Sequence, residues 1–95
     1  MSTIEPGSKI HKNSQVAARE LSAEEGAVLL HLETAQYHGI NPVGLLIWEL
    51  LDGERTVTDV VAAVRAQVHD PPPELEDDVL EFLNDVLKRG LVVVD

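Results

Sequence analysis

The residues of this sequence that could do chemistry are its histidines, serines and carboxylates, and their spacing favours no common reaction. The four histidines, at positions 11, 31, 38 and 69, include no pair four residues apart, the spacing that presents two imidazoles to a metal from one helix face. There is no cysteine, so a disulfide framework, a thiolate metal site and a cysteine nucleophile are excluded. We therefore expect no metal site.

The serines and glycines also lack a catalytic or nucleotide-binding context. The serines, at positions 2, 8, 14 and 22, lie outside any strand-turn-helix nucleophile pattern, and the six glycines form neither a G-x-G-x-x-G nor a Walker motif. The acidic cluster from Glu74 to Asp85 is typical of a helix start with a solvated face. We expect a protein that is not an enzyme and binds no cofactor.

The composition describes a small acidic domain. The chain has 95 residues and a net charge of -10, divided as -2 over residues 1–48 and -8 over residues 49–95. Such a surface repels the phosphate backbone, which argues against a nucleic-acid partner. No apolar run is long enough for a signal peptide or a membrane span, so we expect no membrane association and a cytoplasmic location.

The first half of the chain predicts strands. Residues 1–14 are interpreted as a loose lead-in and residues 15–95 as the folded domain. Apolar alternation and a short turn at Glu33-Thr-Ala35 predict a hairpin of Gly26–Leu32 with Gln36–Ile40, with Gln15–Leu21 as a further partner strand. The prediction is a three-stranded antiparallel sheet.

The second half predicts three helices. Asn41-Pro42 is a helix start for about Pro42–Leu51, and Thr56-Val-Thr-Asp59 has the form of a capping box that opens about Val57–Val68. The third helix, Glu74–Arg89, is closed by Gly90. A sheet followed by three helices is an α+β plan like that of winged helix-turn-helix domains. The apolar tail Leu91–Val94 either joins the sheet or packs beneath the helices.

The third predicted helix has an apolar face wider than one neighbouring layer requires. The face spans roughly 160° of the helical wheel, against roughly 100° for an ordinary amphipathic helix. Asp78, Asp85 and Arg89 border it on the Phe82 side. Either the helix is buried on two sides or its extra edge receives a ligand. The apolar residues of this face are Phe82, Leu75, Val86, Val79, Leu83, Leu87 and Leu80.

The strand Gln36–Ile40 ends the predicted hairpin and is expected at a sheet edge. An edge strand exposes unpaired N–H and C=O groups, to which an extended peptide can add as a further strand. Beside an apolar helix face, such an edge forms a slot. Tyr37 and His38 taken singly are equally consistent with a core aromatic and an exposed polar residue.

With these elements in order, the chain resembles the PqqD family over about Gln15 to Val92. The shared order is a tyrosine strand, an Asn-Pro helix start, a tryptophan helix, an Asp-Gly turn, a threonine cap and an Asp-x-x-x-Phe-Leu helix that ends at Gly-Leu. The segments that carry it are Leu29-Leu-His-Leu32, Gln36-Tyr-His-Gly-Ile-Asn-Pro-Val-Gly44, Ile47-Trp-Glu-Leu-Leu-Asp-Gly53, Arg55-Thr56, Asp78-Val-Leu-Glu-Phe-Leu83 and Gly90-Leu91.

The resemblance implies a RiPP recognition element, a module that binds the leader segment of ribosomally made, modified peptides. In that family the leader adds beside the third strand and lies in the groove with the third helix, the two places marked above from the residues alone. The expected peptide-binding residues are Gln36, Tyr37, His38, Gly39, Ile40, Leu75, Asp78, Val79, Phe82 and Asp85.

The resemblance also implies partners and leaves a choice of pathway. The Tyr37-x-x-Ile40-Asn41 strand end is similar to the discrete recognition proteins of lasso peptide clusters, whose partner is a separate leader peptidase. Coenzyme PQQ biosynthesis, with a radical enzyme as partner, is the sister alternative. A winged-helix transcription regulator and a dimerisation module are the remaining alternatives.

Overall fold

The computed structural model describes residues 4–22 and 24–94, and these form a mixed α+β fold. Within these ranges two three-stranded sheets accompany three helices. The elements in chain order are β1 Lys9–Lys12, β2 Val16–Ser22, β3 Gly26–His31, β4 Gln36–Ile40, α1 Pro42–Leu50, β5 Asp52–Thr56, α2 Val57–Gln67, α3 Leu75–Lys88 and β6 Val92–Val94.

The predicted hairpin sheet is confirmed as an antiparallel meander in the order β2-β3-β4. β3 pairs with β4 from His31 opposite Gln36 to Ala27 opposite Ile40. The turn between them places Ala35 at a φ of 60°. The buried His31 stabilises this turn, because its Nδ1 accepts a hydrogen bond from the Glu33 N–H at 3.2 Å.

A second sheet was not predicted. Its order is β5-β1-β6, all antiparallel, so it joins strands from the beginning, middle and end of the described chain. The predicted order of strands first and helices afterwards is therefore wrong, since β5 lies between α1 and α2 and β6 follows α3. The winged helix-turn-helix label is not confirmed.

The expected loose lead-in over residues 1–14 is wrong where it includes β1. Residues 1–3 lie outside the described residues, but Ile4 and Ile10 are buried in the core and Ile10 lies opposite Val94. The C-terminal tail does form a strand, but Val92–Val94 pairs with β1 in the second sheet and not with the predicted meander. Leu91 beside it is fully buried.

The helix starts confirm the capping predictions. Asn41 Oδ1 accepts a hydrogen bond from the Gly44 N–H at 2.7 Å, with Pro42 in the first turn of α1. At α2, Thr56 Oγ1 accepts from the Asp59 N–H while Asp59 Oδ2 accepts from the Thr56 N–H, which completes the capping box. Each cap fixes where its helix begins.

The core consists of side chains from the three helices packed against side chains from both sheets. Leu29 of β3 and Ile47 of α1 meet Val64 of α2 and Leu83 of α3 in this cluster, and all four side chains are at most 2% exposed. This packing holds α1 and α3 beside β4, which positions the site described next.

Candidate peptide-binding site

β4 is an edge strand, as the sequence predicted. It pairs with β3 along one side, and no described strand pairs with its other side. Along an antiparallel edge, alternate residues direct their N–H and C=O groups away from the sheet. Those of β4 are therefore available to a further strand.

The side chains of β4 alternate between the two faces of the sheet. His38 and Ile40 are half-buried on the face that carries the helices, and His38 lies opposite the fully buried Leu29. Tyr37, by contrast, is 72% exposed on the opposite face. A strand added to β4 would alternate in the same way and send every second side chain towards the helices.

Beside β4, an apolar groove lies between α1 and α3. Its volume is about 300 Å³, at the lower end of the range for ligand pockets. Val43 stands at its mouth with 44% of its surface exposed. The groove suits one large apolar side chain better than a whole small molecule. It is lined by Asn41, Val43, Gly44, Ile47, Val68, Pro72, Leu75, Asp78, Val79 and Phe82.

Gly44 allows α1 and α3 to approach closely at this groove. A Cβ atom at Gly44 would lie 2.8 Å from Cε1 of Phe82 and 3.2 Å from Oδ1 of Asn41. The first distance is shorter than real Cβ contacts and the second is tight, so a larger residue at position 44 would displace the Phe82 ring from the first turn of α1. The ring is half-buried, with one side left to the groove.

Acidic residues flank the groove along α3. Asp78, Glu81, Phe82 and Asp85 line an open depression that adjoins the groove through Asp78 and Phe82. These carboxylates are exposed. The groove therefore combines an apolar floor with a polar margin that could orient a bound peptide.

Arg89 ties β4 to α3 at this margin. Its Nε donates to both carboxylate oxygens of Asp85 at 3.2 Å, and its Nη1 lies 3.1 Å from Nδ1 of His38. Because a guanidinium can only donate, Nδ1 of His38 is the acceptor and Nε2 carries the proton. That Nε2 is buried and has no hydrogen-bond partner among the described residues.

The structure brings most of the predicted site residues together. Leu75, Asp78, Val79 and Phe82 line the groove and Asp85 lies in the adjoining depression. Gln36 to Ile40 do not line the groove itself but form the edge strand beside it. Ile40 packs close to the start of α1, since a Cβ atom added to Gly44 would lie 3.3 Å from Cβ of Ile40.

The sequence analysis missed the other wall of the groove. Val43, Gly44 and Ile47 share one side of α1, and their spacing could have indicated that side, but the sequence analysis assigned it no part in the site. Val68 and Pro72 carry no local signal, because they reach the groove only through the packing of α2 on α3. The missed lining residues are Asn41, Val43, Gly44, Ile47, Val68 and Pro72.

Residues 4–22 and 24–94 contain no group of three or more metal-ligating side chains that could hold a metal ion. No helix in these ranges is long and apolar enough to cross a membrane.

The fold and groove define a small domain with an open strand edge beside an apolar helix-lined slot. The sequence profile described as coenzyme PQQ synthesis protein D (PqqD) matches residues 26–92. The chain belongs to the PqqD family, which confirms the resemblance. No curated protein sequence matches it significantly.

Two solved structures are similar to this chain. "TbiB1 in Complex with the TbiA(beta) Leader Peptide" has 30% sequence identity and a TM-score of 0.73, over 86% of this chain and 93% of that one. "Lasso peptide synthetase B1 complexed with the leader peptide" has 16% identity and a TM-score of 0.73, over 90% and 98% of the two chains, and shares the fold.

Proposed function

We propose that this protein binds the leader segment of a ribosomally made precursor peptide. The observation that carries the proposal is the unpaired edge of β4 beside the apolar groove of α1 and α3. The similarity to TbiB1, whose solved structure contains a leader peptide, supports the same function.

In the proposed mode the leader adds to β4 as a fourth strand. Its main chain bonds to the free groups of Gln36 to Ile40, which contributes affinity independent of sequence. Every second leader side chain faces α3, and a large apolar one enters the groove against Leu75, Val79 and Phe82. Asp78 and Asp85 then lie beside the bound strand and orient its polar groups.

Binding costs the leader conformational entropy, because free leader segments are disordered. Main-chain bonds alone offset this cost poorly, since they replace bonds to water. We therefore expect a few large apolar anchors to determine the affinity, and the groove is the place for one of them.

The protein does no chemistry in this proposal. It presents the bound precursor, in the cytoplasm, to a separate leader peptidase or other modifying enzyme, and raises the substrate concentration near that enzyme's active site. The similarity of the Tyr37-x-x-Ile40-Asn41 strand end to recognition proteins of lasso peptide clusters, together with the fold shared with a lasso peptide synthetase B1, favours lasso peptide maturation. The family profile favours, as the second candidate, a chaperone for the coenzyme PQQ precursor with a radical enzyme as partner.

The test is a titration of the purified protein with fluorescein-labelled leader of the precursor encoded beside it, followed by anisotropy and by backbone amide NMR shifts. We expect saturable binding, with shifts concentrated in Gln36–Ile40 and along Asp78–Asp85. A scrambled leader of the same composition is the control. Equal binding of both peptides, or shifts confined to the other sheet, would contradict the proposal, and the PQQ precursor leader in the same assay separates the two pathways.

A further inference from the structure

The two sheets end in the edge strands β2, β4, β5 and β6 among the described residues. β4 is the proposed leader strand, and β2 carries charged side chains and a register shift after Glu20. In β5 the N–H groups of Glu54 and Arg55 donate to the carboxylate of Asp52. Charges and irregular pairing keep an edge from pairing with another chain. β6 is the edge that lacks such protection.

β6 is short, apolar and open along one side. Its sequence is three valines, with no lysine, proline or register shift. Val92 is buried, whereas Val93 on the opposite face is 41% exposed. β1 pairs with one side of β6, and no described strand pairs with the other side. An uncharged edge of β-branched residues is a template for a further strand.

The pairing with β1 determines which main-chain groups of β6 are free. The Asn13 N–H donates to the Leu91 carbonyl at 3.0 Å, and hydrogen-bonded pairs recur at every second residue of an antiparallel ladder. The next such pair contains Val93, whose N–H and C=O groups therefore face β1. Those of Val92 and Val94 point away from β1, towards the open side.

A second copy of β6 is complementary to this open side. In an antiparallel pair centred on Val93, Val92 of each copy lies opposite Val94 of the other copy, and their free N–H and C=O groups bond to one another. The two Val93 side chains then meet across the axis on the exposed face, at the short separation of a pair without hydrogen bonds. Such an interface is isologous, because the same strand serves both copies.

The charge distribution lets two copies meet at β6 although each has a net charge of -10. β6 itself carries no charge, and Arg89 shortly before it is paired with Asp85. The acidic residues in the first turn of α3 lie about 20 Å away along the helix, against a Debye length of about 8 Å at physiological salt. Solvent ions therefore screen the repulsion between the acidic ends.

We propose that two copies of this chain associate through β6, antiparallel about a two-fold axis at Val93. Their sheets then join into one continuous sheet in the order β5-β1-β6-β6-β1-β5. Each copy keeps its leader site, because β4 belongs to the other sheet and the groove to α1 and α3. A contact over so short a strand is small, so the dissociation constant is on the order of 100 µM.

The experiment measures the mass of the purified chain by sedimentation over a concentration series, and amide hydrogen exchange by NMR at low and high concentration. The variants are Val94→Pro, which removes an N–H that β1 does not use, and Val93→Lys, which places a charge at the axis. The matched controls are Val94→Ala, which keeps that N–H, and Leu32→Lys, which places the same charge at an exposed leucine outside this sheet.

We expect the wild-type mass to rise with concentration from that of the monomer towards that of the dimer. Val94→Pro and Val93→Lys should each weaken association by about tenfold or more, and the controls should associate like the wild type. The N–H groups of Val92 and Val94 should gain protection from exchange at high concentration, whereas the N–H of Val93 should be protected throughout.

A monomer mass at every concentration would overturn the proposal, and so would association that Val94→Pro and Val93→Lys leave unchanged. Association abolished by Leu32→Lys would assign the contact to the meander and also overturn it. Circular dichroism establishes that each variant is folded. If Val94→Pro does not fold, Val93→Lys at its exposed position decides the test.

Discussion

The two sides of α3 differ in what they contribute to the molecule. On one side, the core side, Leu83 and Val86 are at most 1% exposed inside the hydrophobic cluster. On the other, the groove side, Phe82 is half-buried and Asp78 and Asp85 are exposed beside the cavity. The core side stabilises the fold and the groove side is the proposed leader-binding site, so substitutions on the two sides should separate stability from affinity.

The largest effect is expected on the core side, from Leu83→Ala. Removal of a fully buried leucine side chain loses its transfer free energy and leaves a cavity, which costs about 2–5 kcal/mol of unfolding free energy. Urea denaturation followed by circular dichroism measures this cost. The control is Phe82→Ala, whose half-buried ring should cost about 1–2 kcal/mol. Equal losses of unfolding free energy in the two variants would contradict the assignment of Leu83 to the core side and Phe82 to the groove side.

The second effect is expected on the groove side, from Phe82→Ala. Loss of the ring should weaken leader binding by about tenfold or more, because a buried aromatic anchor dominates a small interface. Anisotropy titration of labelled leader measures it. The matched control is Leu80→Ala, a half-buried residue of α3 that faces a different depression, near Val57 and Val61. Equal weakening by both variants would place the leader elsewhere.

A smaller effect is expected from Arg89→Ala at the margin of the groove. The substitution removes the hydrogen bonds to His38 and Asp85 that hold β4 beside α3. We expect about threefold weaker leader binding, the scale of one weak net hydrogen bond. Lys88→Ala, at the neighbouring exposed position, should bind like the wild type. If Arg89→Ala and Lys88→Ala bind the leader with equal affinity, the hydrogen bonds of Arg89 have no part in leader recognition.

The smallest effect is expected far from both sides of α3, at Asp52. The N–H groups of Arg55 and Glu54 donate to this exposed carboxylate, and Arg55 lies beside it, which lowers the pKa of Asp52 below its ordinary value. A lowered folded-state pKa adds stability above the unfolded pKa, and that stability is lost as the pH falls through the folded pKa.

Asp52→Asn should therefore flatten the acid limb of the stability curve, and it should leave leader affinity at neutral pH unchanged. Urea midpoints of both proteins across that acid range measure the difference. An unaltered acid limb would show that the Asp52 carboxylate does not contribute to the stability of the fold, and a loss of leader affinity would show that β5 and the groove are coupled.

Several features followed from local sequence patterns. The caps of α1 and α2 were predicted because their hydrogen bonds close within three residues, from Asn41 to Gly44 and from Thr56 to Asp59. The β3-β4 hairpin was predicted because its strands alternate and its turn is short. The edge position of β4 followed from the order of that meander, and the groove-side residues of α3 from helical periodicity.

The second sheet and the far wall of the groove did not follow from the sequence. β1 and β5 are short and polar, with the sequences KIHK and DGERT, so their alternation is too weak to predict strands. β1 also pairs with β6, about eighty residues away, and nothing near Lys9–Lys12 specifies that partner. Val68 and Pro72 reach the groove by packing between helices.

The sequence by itself determined the hairpin, the helix starts, the acidic surface and the two-sided α3, because each depends on residues within a few positions of one another. Tertiary structure alone decided which strands joined the ends of the chain, how closely α1 approaches Phe82, and that Arg89 reaches His38 across fifty-one positions. The physical reason is that these contacts join residues far apart in sequence. They form only when packing of the whole core offsets the entropy lost in closing the long loops between them.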